Sequence, residues 1–341
     1  MSESAVRPWA GVTVSPDVES SHGWLVSVWL LVAAFAAVTL VESARVGIPV
    51  RDPGGAWFVS RVAISVGIFG VLALLDAYFR TDPACRGLPA TIATLCRRWP
   101  CRRLMLAAGG LLAYYLVYFC YHNLKSWDVL NRPSDTMLLE WDRWLFLGHS
   151  PAGLLHDLLG VHVAAYALMV IYESFSTLVT VAVVASMVLQ TRMREGYVFI
   201  ASALWVWILG VGCYYLIPSL GPFDSEPGQF ADLPHTMIQD TQARYMAQRA
   251  NMLADPQAAD AFAQVSAFAS LHVAVTCLLL LMARYYGLRR TTRVLAVFLA
   301  GTIVATVYLG WHFVVDDIAG VLIALVSVAL GRWMVQPREA R

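Results

Sequence analysis

Eight long apolar runs dominate the sequence and restrict what it can fold into. A membrane-spanning helix needs about 20 mostly apolar residues. The runs that qualify are 24–44, 57–79, 103–122, 163–189, 197–217, 266–284, 292–310 and 317–335. Hydrophobic residues make up 59% of the 341 and charged residues only 14%, which is more apolar surface than a soluble domain of this length can cover. We therefore expect an all-α, polytopic membrane helix bundle with about eight transmembrane helices.

Two polar interruptions, 123–162 and 218–265, are too long to be simple turns between spans. The apolar spacing within the first of them predicts short helices that lie along the membrane interface. The formal net charge is only +1, whereas nucleic-acid binding needs a concentrated basic face. We therefore expect membrane lipids as partners and no nucleic acid.

The arginines predict the orientation of the bundle. They cluster in the loop 80–103, between the fourth and fifth spans, between the sixth and seventh spans, and in the C-terminal tail. With eight spans these four segments share one side, which the positive-inside rule assigns to the cytoplasm. We expect a multi-pass protein of the plasma membrane with both termini cytoplasmic and both long interruptions on the extracytoplasmic side.

Two histidines lie at the predicted outer ends of different spans. His312 and Asp316 have i, i+4 spacing, which places both on one face at the start of the last helix. A carboxylate in this position can keep one imidazole nitrogen protonated and leave the other free as a nucleophile. His272 follows Ser270 at the start of the sixth span, where backbone N–H groups suit a phosphate. The pattern favours phosphoryl transfer, with one histidine attacking phosphorus and the other protonating the leaving oxygen.

The segments "SLHVA" and "HFVVDDIAG" resemble the second and third signature motifs of the type-2 phosphatidic acid phosphatase superfamily. They are most similar to its inositol-phosphoceramide synthase, or inositol phosphotransferase, branch. The resemblance implies that His312 is the nucleophile of a phosphohistidine intermediate, Asp316 orients it, and His272 is the general acid. It also implies a six-helix catalytic domain over 103–341. Residues 24–102 would then add two transmembrane helices and an arginine-rich loop, after a cytoplasmic tail over 1–23.

The sequence departs from the ordinary phosphatase pattern in one place that affects charge. Ordinary phosphatases have a Ser-Arg pair before the nucleophile, and this chain has Ala305-Thr306 at those positions. The charge that holds a phosphate must therefore come from elsewhere. Lys125 and Arg132, which precedes Pro133, resemble the superfamily's first motif and are the predicted phosphate ligands together with Ser270. Their positions near the end of a span also fit residues that only anchor the helix at the membrane–water interface. The segment "YYLIPSLGPF", where the chain leaves the predicted span 197–217, supplies candidate residues of a substrate loop: Tyr214, Ser219 and Gly221.

These features predict a membrane phosphotransferase or phosphatase that acts on a lipid phosphate ester at the extracytoplasmic face. Its substrate would be a lipid phosphate or phosphodiester, its acceptor water or a polar alcohol, and no metal or cofactor is expected. Two alternatives remain open. One is a zinc-dependent membrane hydrolase with His272, His312 and Asp316 as ligands. The other is a proton-coupled transporter that uses Glu173 and the histidines, although Glu173 also fits a role in helix packing.

Overall fold

The computed structural model describes residues 23–336, and this part of the chain is all-α, as predicted. Most of the predicted N-terminal tail (1–22) and residues 337–341 of the C-terminal tail lie outside the described residues. The helices are α1 (Gly23–Val46), α2 (Val59–Arg80), α3 (Leu88–Arg98), α4 (Cys101–Asp128), α5 (Asp135–Leu145), α6 (Pro151–Leu159), α7 (Val163–Val188), α8 (Met193–Leu216), α9 (Pro222–Ser225), α10 (Met237–Ala254), α11 (Leu271–Tyr285), α12 (Arg289–Tyr308) and α13 (Val314–Val335).

Within residues 23–336, seven helices are long and apolar enough to cross a membrane: α1, α2, α4, α7, α8, α12 and α13. The remaining predicted span is the shorter α11, which has 15 residues and begins at Leu271 rather than at 266. Its late start has a local cause. The Ser270 side chain caps the helix, and the preceding segment bonds instead to Ser219, which accepts from the Phe268 N–H at 2.8 Å. The segment before α11 is therefore an extended strap that lies across the bundle.

The arginine-rich segments meet at one end of the bundle, as the sequence predicts. Arg98 in α3 donates to the Val188 carbonyl at the end of α7, at 3.2 Å. Arg103 at the start of α4 donates to the Thr191 carbonyl at 2.9 Å. Arg194 at the start of α8 donates to the Val335 carbonyl at the end of α13, at 2.8 Å. These contacts place the ends of five helices on a common side.

The two long interruptions interlock at the opposite end. The Asp135 carboxylate in the first accepts hydrogen bonds from the Leu220 and Gly221 N–H groups in the second, at 2.7–3.1 Å. Ser134 also donates through its N–H to the Pro218 carbonyl at 2.7 Å. The short helices expected in the first interruption are present as α5 and α6. Together the interruptions form a cap over the ends of the spans.

Glycines allow the close helix packing that positions the functional end. A Cβ at Gly331 of α13 would come within 2.6 Å of the Ser202 backbone nitrogen in α8, so these two helices touch through their backbones. Gly320, one turn into α13, lies directly against the Ser270 carbonyl at the start of α11. The start of α13 is thereby held against the start of α11. The sequence predicts His272 at the start of α11 and His312 at the start of α13.

Candidate active site

The His312–Asp316 pair forms at the turn between α12 and α13. The Nδ1 atom of His312 lies 3.3 Å from Oδ2 of Asp316, and the Phe313 N–H donates to the same oxygen at 3.0 Å. Asp316 is fully buried, so its carboxylate is held in one orientation. With a proton on Nδ1 donated to Asp316, the Nε2 lone pair of His312 is left for chemistry. Burial lowers the pKa of His312 well below its ordinary value, and the nearby His272 and Lys125 act in the same direction. The imidazole is therefore neutral at pH 7 and can act as a nucleophile.

His272 lies beside this pair and is held by aromatic rings. Its ring centroid is 6.0 Å from that of His312. Tyr172 stacks on His272 at 4.3 Å and Phe175 packs at the same distance at an angle of 43°, both from α7. Two rings from one helix thus fix the plane of the imidazole. A phosphorus atom between the two histidines could be reached by both.

Ser270 connects the two motifs rather than facing the open space beside them. Its N–H donates to the Asp316 carbonyl at 3.0 Å, and its side chain accepts from the Val273 N–H at 3.4 Å. Leu271 and His272 are the first two residues of α11, and their N–H groups have no acceptor within the helix. These N–H groups can therefore donate hydrogen bonds to an anion.

The start of α13 is occupied by a carboxylate that the sequence reasoning missed. Asp142 in α5 accepts hydrogen bonds from the Val314 and Val315 N–H groups at 2.8 and 3.0 Å. Since these are the first N–H groups of α13, the helix start is capped and cannot bind phosphate. No local pattern marks Asp142, because its partners are contributed by a helix at the far end of the chain. The start of α11, which the sequence predicts to suit a phosphate, is not occupied in this way.

A cavity of about 230 Å³ opens beside the histidines and is lined by cations and aromatic rings. Lys125, Arg61 and Arg244 line it from α4, α2 and α10. The aromatic lining residues include Trp57, Tyr118, Tyr121, Tyr172, Trp207, Tyr214, Tyr245 and Trp311. Over residues 23–336, no group of three or more His, Cys, Asp or Glu side chains is arranged to hold a metal ion. A space with three cationic side chains and three histidines, against the single carboxylate of Glu173, is suited to an anionic ligand.

The remaining predicted residues take different positions. Lys125 and Tyr214 both line the cavity, with the Lys125 ammonium 5.6 Å from the centroid of the Tyr214 ring. Arg132 is exposed and does not line it. Ser219 is buried and bonds to the strap before α11, so it supports the loop rather than facing the cavity. Gly221 has φ +114, and a Cβ there would come within 2.6 Å of the Trp311 carbonyl.

Thr306 occupies the position where the ordinary phosphatase pattern has an arginine. It is completely buried and donates a hydrogen bond from its hydroxyl to Oδ2 of Asp317 at 2.9 Å. It does not line the cavity. The missing guanidinium is therefore not replaced at this point of the chain, and the cations of the cavity come from α2, α4 and α10 instead.

The sequence reasoning also missed Arg61 and His122. His122 lines the cavity, is only 8% exposed, and neither ring nitrogen has a hydrogen-bond partner among the described residues. It lies one turn before Lys125, so helical spacing from Lys125 could have indicated it. For Arg61 the available signal was its position inside the apolar run 57–79, since a charged residue within a span is a candidate functional residue.

The fold and the site together define a multi-pass helical membrane protein with a buried histidine–aspartate pair beside a cationic cavity. The chain belongs to the PAP2 superfamily, whose family model matches residues 136–330. This segment contains both histidines and Asp316, whereas Arg61, His122 and Lys125 lie before it. No curated protein and no solved structure matches the chain. PAP2 superfamily members are phosphatases, so membership supports phosphatase- or phosphotransferase-type activity on phosphate esters.

Proposed function

We propose that the protein cleaves or transfers the phosphate ester of a membrane lipid through a phosphohistidine on His312. The observation that carries this proposal is the buried His312–Asp316 pair, with its 3.3 Å contact, facing a cavity that also contains His272 and three cations. Catalysis needs a nucleophile, a proton donor and positive charge at one place, and we assign these roles to His312, to His272 as the imidazolium, and to the three cations.

The geometry supports a two-step reaction. The Nε2 lone pair of His312 attacks phosphorus, the bond from phosphorus to the lipid oxygen breaks, and that oxygen takes a proton from His272. Asp316 accepts the Nδ1–H hydrogen bond and stabilises the positive charge that develops on the ring. In the second step, water or an alcohol gives a proton to His272 and attacks phosphorus. The phosphorus–nitrogen bond then breaks and Nε2 recovers its lone pair.

The size and lining of the cavity support transfer to a polar alcohol alongside hydrolysis. A buried water needs only about 10–15 Å³ of such space, whereas the cavity measures about 230 Å³. Aromatic faces next to polar groups are suited to binding a polyol. Thr306 stands where the ordinary phosphatase pattern has an arginine. This difference from ordinary phosphatases agrees with the proposal of a transferase. We therefore retain the inositol phosphotransferase branch as the proposed subfamily.

We propose that the active site faces the extracytoplasmic side of the plasma membrane, because the arginine-rich end lies opposite to it. Cys96 and Cys101 are exposed near that end, and Asp232 is exposed in the cap over the site. In intact cells, an impermeant thiol reagent should label Asp232→Cys and leave Cys96 and Cys101 unlabelled. Labelling of Cys96 and Cys101 without labelling at 232 would reverse the orientation.

Purified protein should release or transfer phosphate from at least one member of a panel of phospholipids and prenyl phosphates. Products would be separated by mass spectrometry, with and without an added polyol. We expect inhibition by vanadate, which mimics pentavalent phosphorus, and activity that survives a metal chelator. Loss of activity with the chelator, restored by zinc, would support the zinc hydrolase instead. No reaction with any phosphate ester would contradict the proposed function.

The same assay identifies the phosphate ligand. Since Lys125 lines the cavity and Arg132 does not, we expect Lys125→Met to lower kcat/KM on the order of 100-fold, as for the loss of a cation at a transferring phosphoryl group. Arg132→Met, which also removes one positive charge, is the matched comparison and should have a smaller effect. The reverse order would assign the phosphate to Arg132.

A further inference from the structure

Helix α2 lies outside the matched segment 136–330, yet it forms part of the catalytic cavity. It contributes Arg61 to the lining, and Trp57 just before it stacks on His122 with ring centroids 3.8 Å apart. The loop that leads into α2 is tied to the cap, because Arg51 donates to the Ala261 carbonyl at 2.9 Å. The first two helices are thus joined to the active site and do more than anchor the chain.

Arg61 is a cation without a partner of its own. Within residues 23–336 its guanidinium makes no hydrogen bond and no ion pair, although it is only partly exposed. An arginine inside the span of a membrane protein is costly unless it meets an anion or water. Its position beside the histidines therefore calls for the anionic part of a ligand.

A path for a hydrocarbon chain starts at the same residue. Arg61 also lines a smaller cavity of about 30 Å³, which it shares with Tyr115 of α4. Tyr115 in turn lines an almost wholly apolar groove of about 230 Å³ between α2 and α4, together with Val62, Phe69 and Ala108. On α4 this groove reaches from Leu104 to Tyr115, which is roughly 16 Å at helical rise. The cationic cavity at His312, the small cavity and the apolar groove are thus neighbours that share Arg61 and Tyr115 as lining residues.

We infer that α2 is the lipid-recognition element of this enzyme: Arg61 binds the anionic headgroup, and the α2–α4 groove holds one hydrocarbon chain of the same lipid. The inference rests on the proposed function and specifies its substrate as an anionic amphiphile with a long chain. The occupant is a lipid rather than another helix, because the groove shares Tyr115 with the small cavity, which in turn shares Arg61 with the cationic cavity. A lipid matches this arrangement, because its anionic headgroup fits the cationic cavity and its hydrocarbon chain fits the apolar groove.

Two variants test the two halves of the inference. Arg61→Gln removes the charge, and Ala108→Phe fills the groove from a position that faces outward on α4, so that the fold is preserved. Their controls are Arg45→Gln, at an exposed ion pair with Glu42 in α1, and Ala63→Phe, at an exposed site of α2 outside the groove. The substrates are dioleoyl phosphatidic acid, its dibutyryl analogue and the soluble p-nitrophenyl phosphate.

We expect Arg61→Gln to lower kcat/KM for both lipids by about tenfold, the value of one charged hydrogen bond. Its p-nitrophenyl phosphate turnover should fall as well, because the anionic group of that substrate is the same phosphate monoester. Ala108→Phe should lower kcat/KM by a similar factor for the dioleoyl lipid alone, chiefly through KM. Both controls should match the wild type. Equal effects of Ala108→Phe on both chain lengths, or no effect of Arg61→Gln on either lipid, would overturn the inference.

A binding measurement separates this inference from the proposed chemistry. Phosphatidic acid with a photoreactive group in its acyl chain should crosslink to the groove residues of α2 and α4, and less so in Ala108→Phe. If the wild type crosslinks there but turns over none of the three substrates, the proposed function fails and the lipid site stands. If it turns over all three but crosslinks only elsewhere, the lipid site fails and the chemistry stands.

Discussion

His312→Ala should reduce turnover to background and abolish the phosphoenzyme. The variant removes the imidazole that contacts Asp316, and loss of a nucleophile of this kind costs on the order of 10⁶ in kcat. Quenched-flow trapping with a phosphorus-labelled substrate would measure the intermediate. The label should resist alkali, be released by acid, and map to His312, because phosphohistidine has a phosphorus–nitrogen bond.

His272→Ala is the matched histidine variant for this experiment. If His272 supplies the proton, its loss should slow formation of the intermediate most for lipid esters, whose alkoxide is a poor leaving group. The loss should be smaller for an aryl phosphate, whose oxygen leaves without a proton. A phosphoenzyme that persists in His312→Ala contradicts the assigned nucleophile, and a label on His272 exchanges the two roles.

Asp316→Asn should preserve the fold and lower kcat severely, by on the order of 10³- to 10⁴-fold, as for an aspartate that orients a catalytic histidine. The amide carbonyl can still accept the Phe313 N–H, which now bonds to Oδ2 at 3.0 Å. It cannot stabilise the positive charge on His312, and it can present its own N–H₂ group and select the wrong tautomer. Activity and the rate of phosphoenzyme formation would be measured together with thermal unfolding in detergent.

Asp317→Asn is the adjacent control, since both side chains are buried and both carry one carboxylate. Asp317 accepts from Thr306 at 2.9 Å and does not contact His312, and an asparagine oxygen can replace that acceptor. We expect a change of a few-fold at most. Similar losses in both variants, with lower unfolding temperatures in both, would mean that Asp316 acts on the fold rather than on the histidine.

The transmembrane helices and the catalytic pair were accessible from the sequence because both depend on local geometry. An apolar run of sufficient length is helical in a membrane, since no other conformation satisfies the backbone. The i, i+4 spacing correctly brought His312 and Asp316 together, although His312 lies in the turn before α13 rather than on its helical face. The distribution of arginines likewise predicted which loops meet at one end. The sequence did not predict the start of α11, because Ser219, in a distant loop, holds the strap that precedes it.

By itself, therefore, the sequence determined an all-α membrane bundle, the superfamily and the proximity of His312 and Asp316, the proposed catalytic pair. Only the tertiary structure showed which cationic side chains line the cavity beside the histidines. Arg61 enters the cavity because α2 packs beside α4, and Lys125 lines it while Arg132 does not. Asp142 caps α13 from a helix far away in the chain. These contacts depend on which helix faces pack together, and neither spacing nor hydropathy along one helix specifies its neighbour.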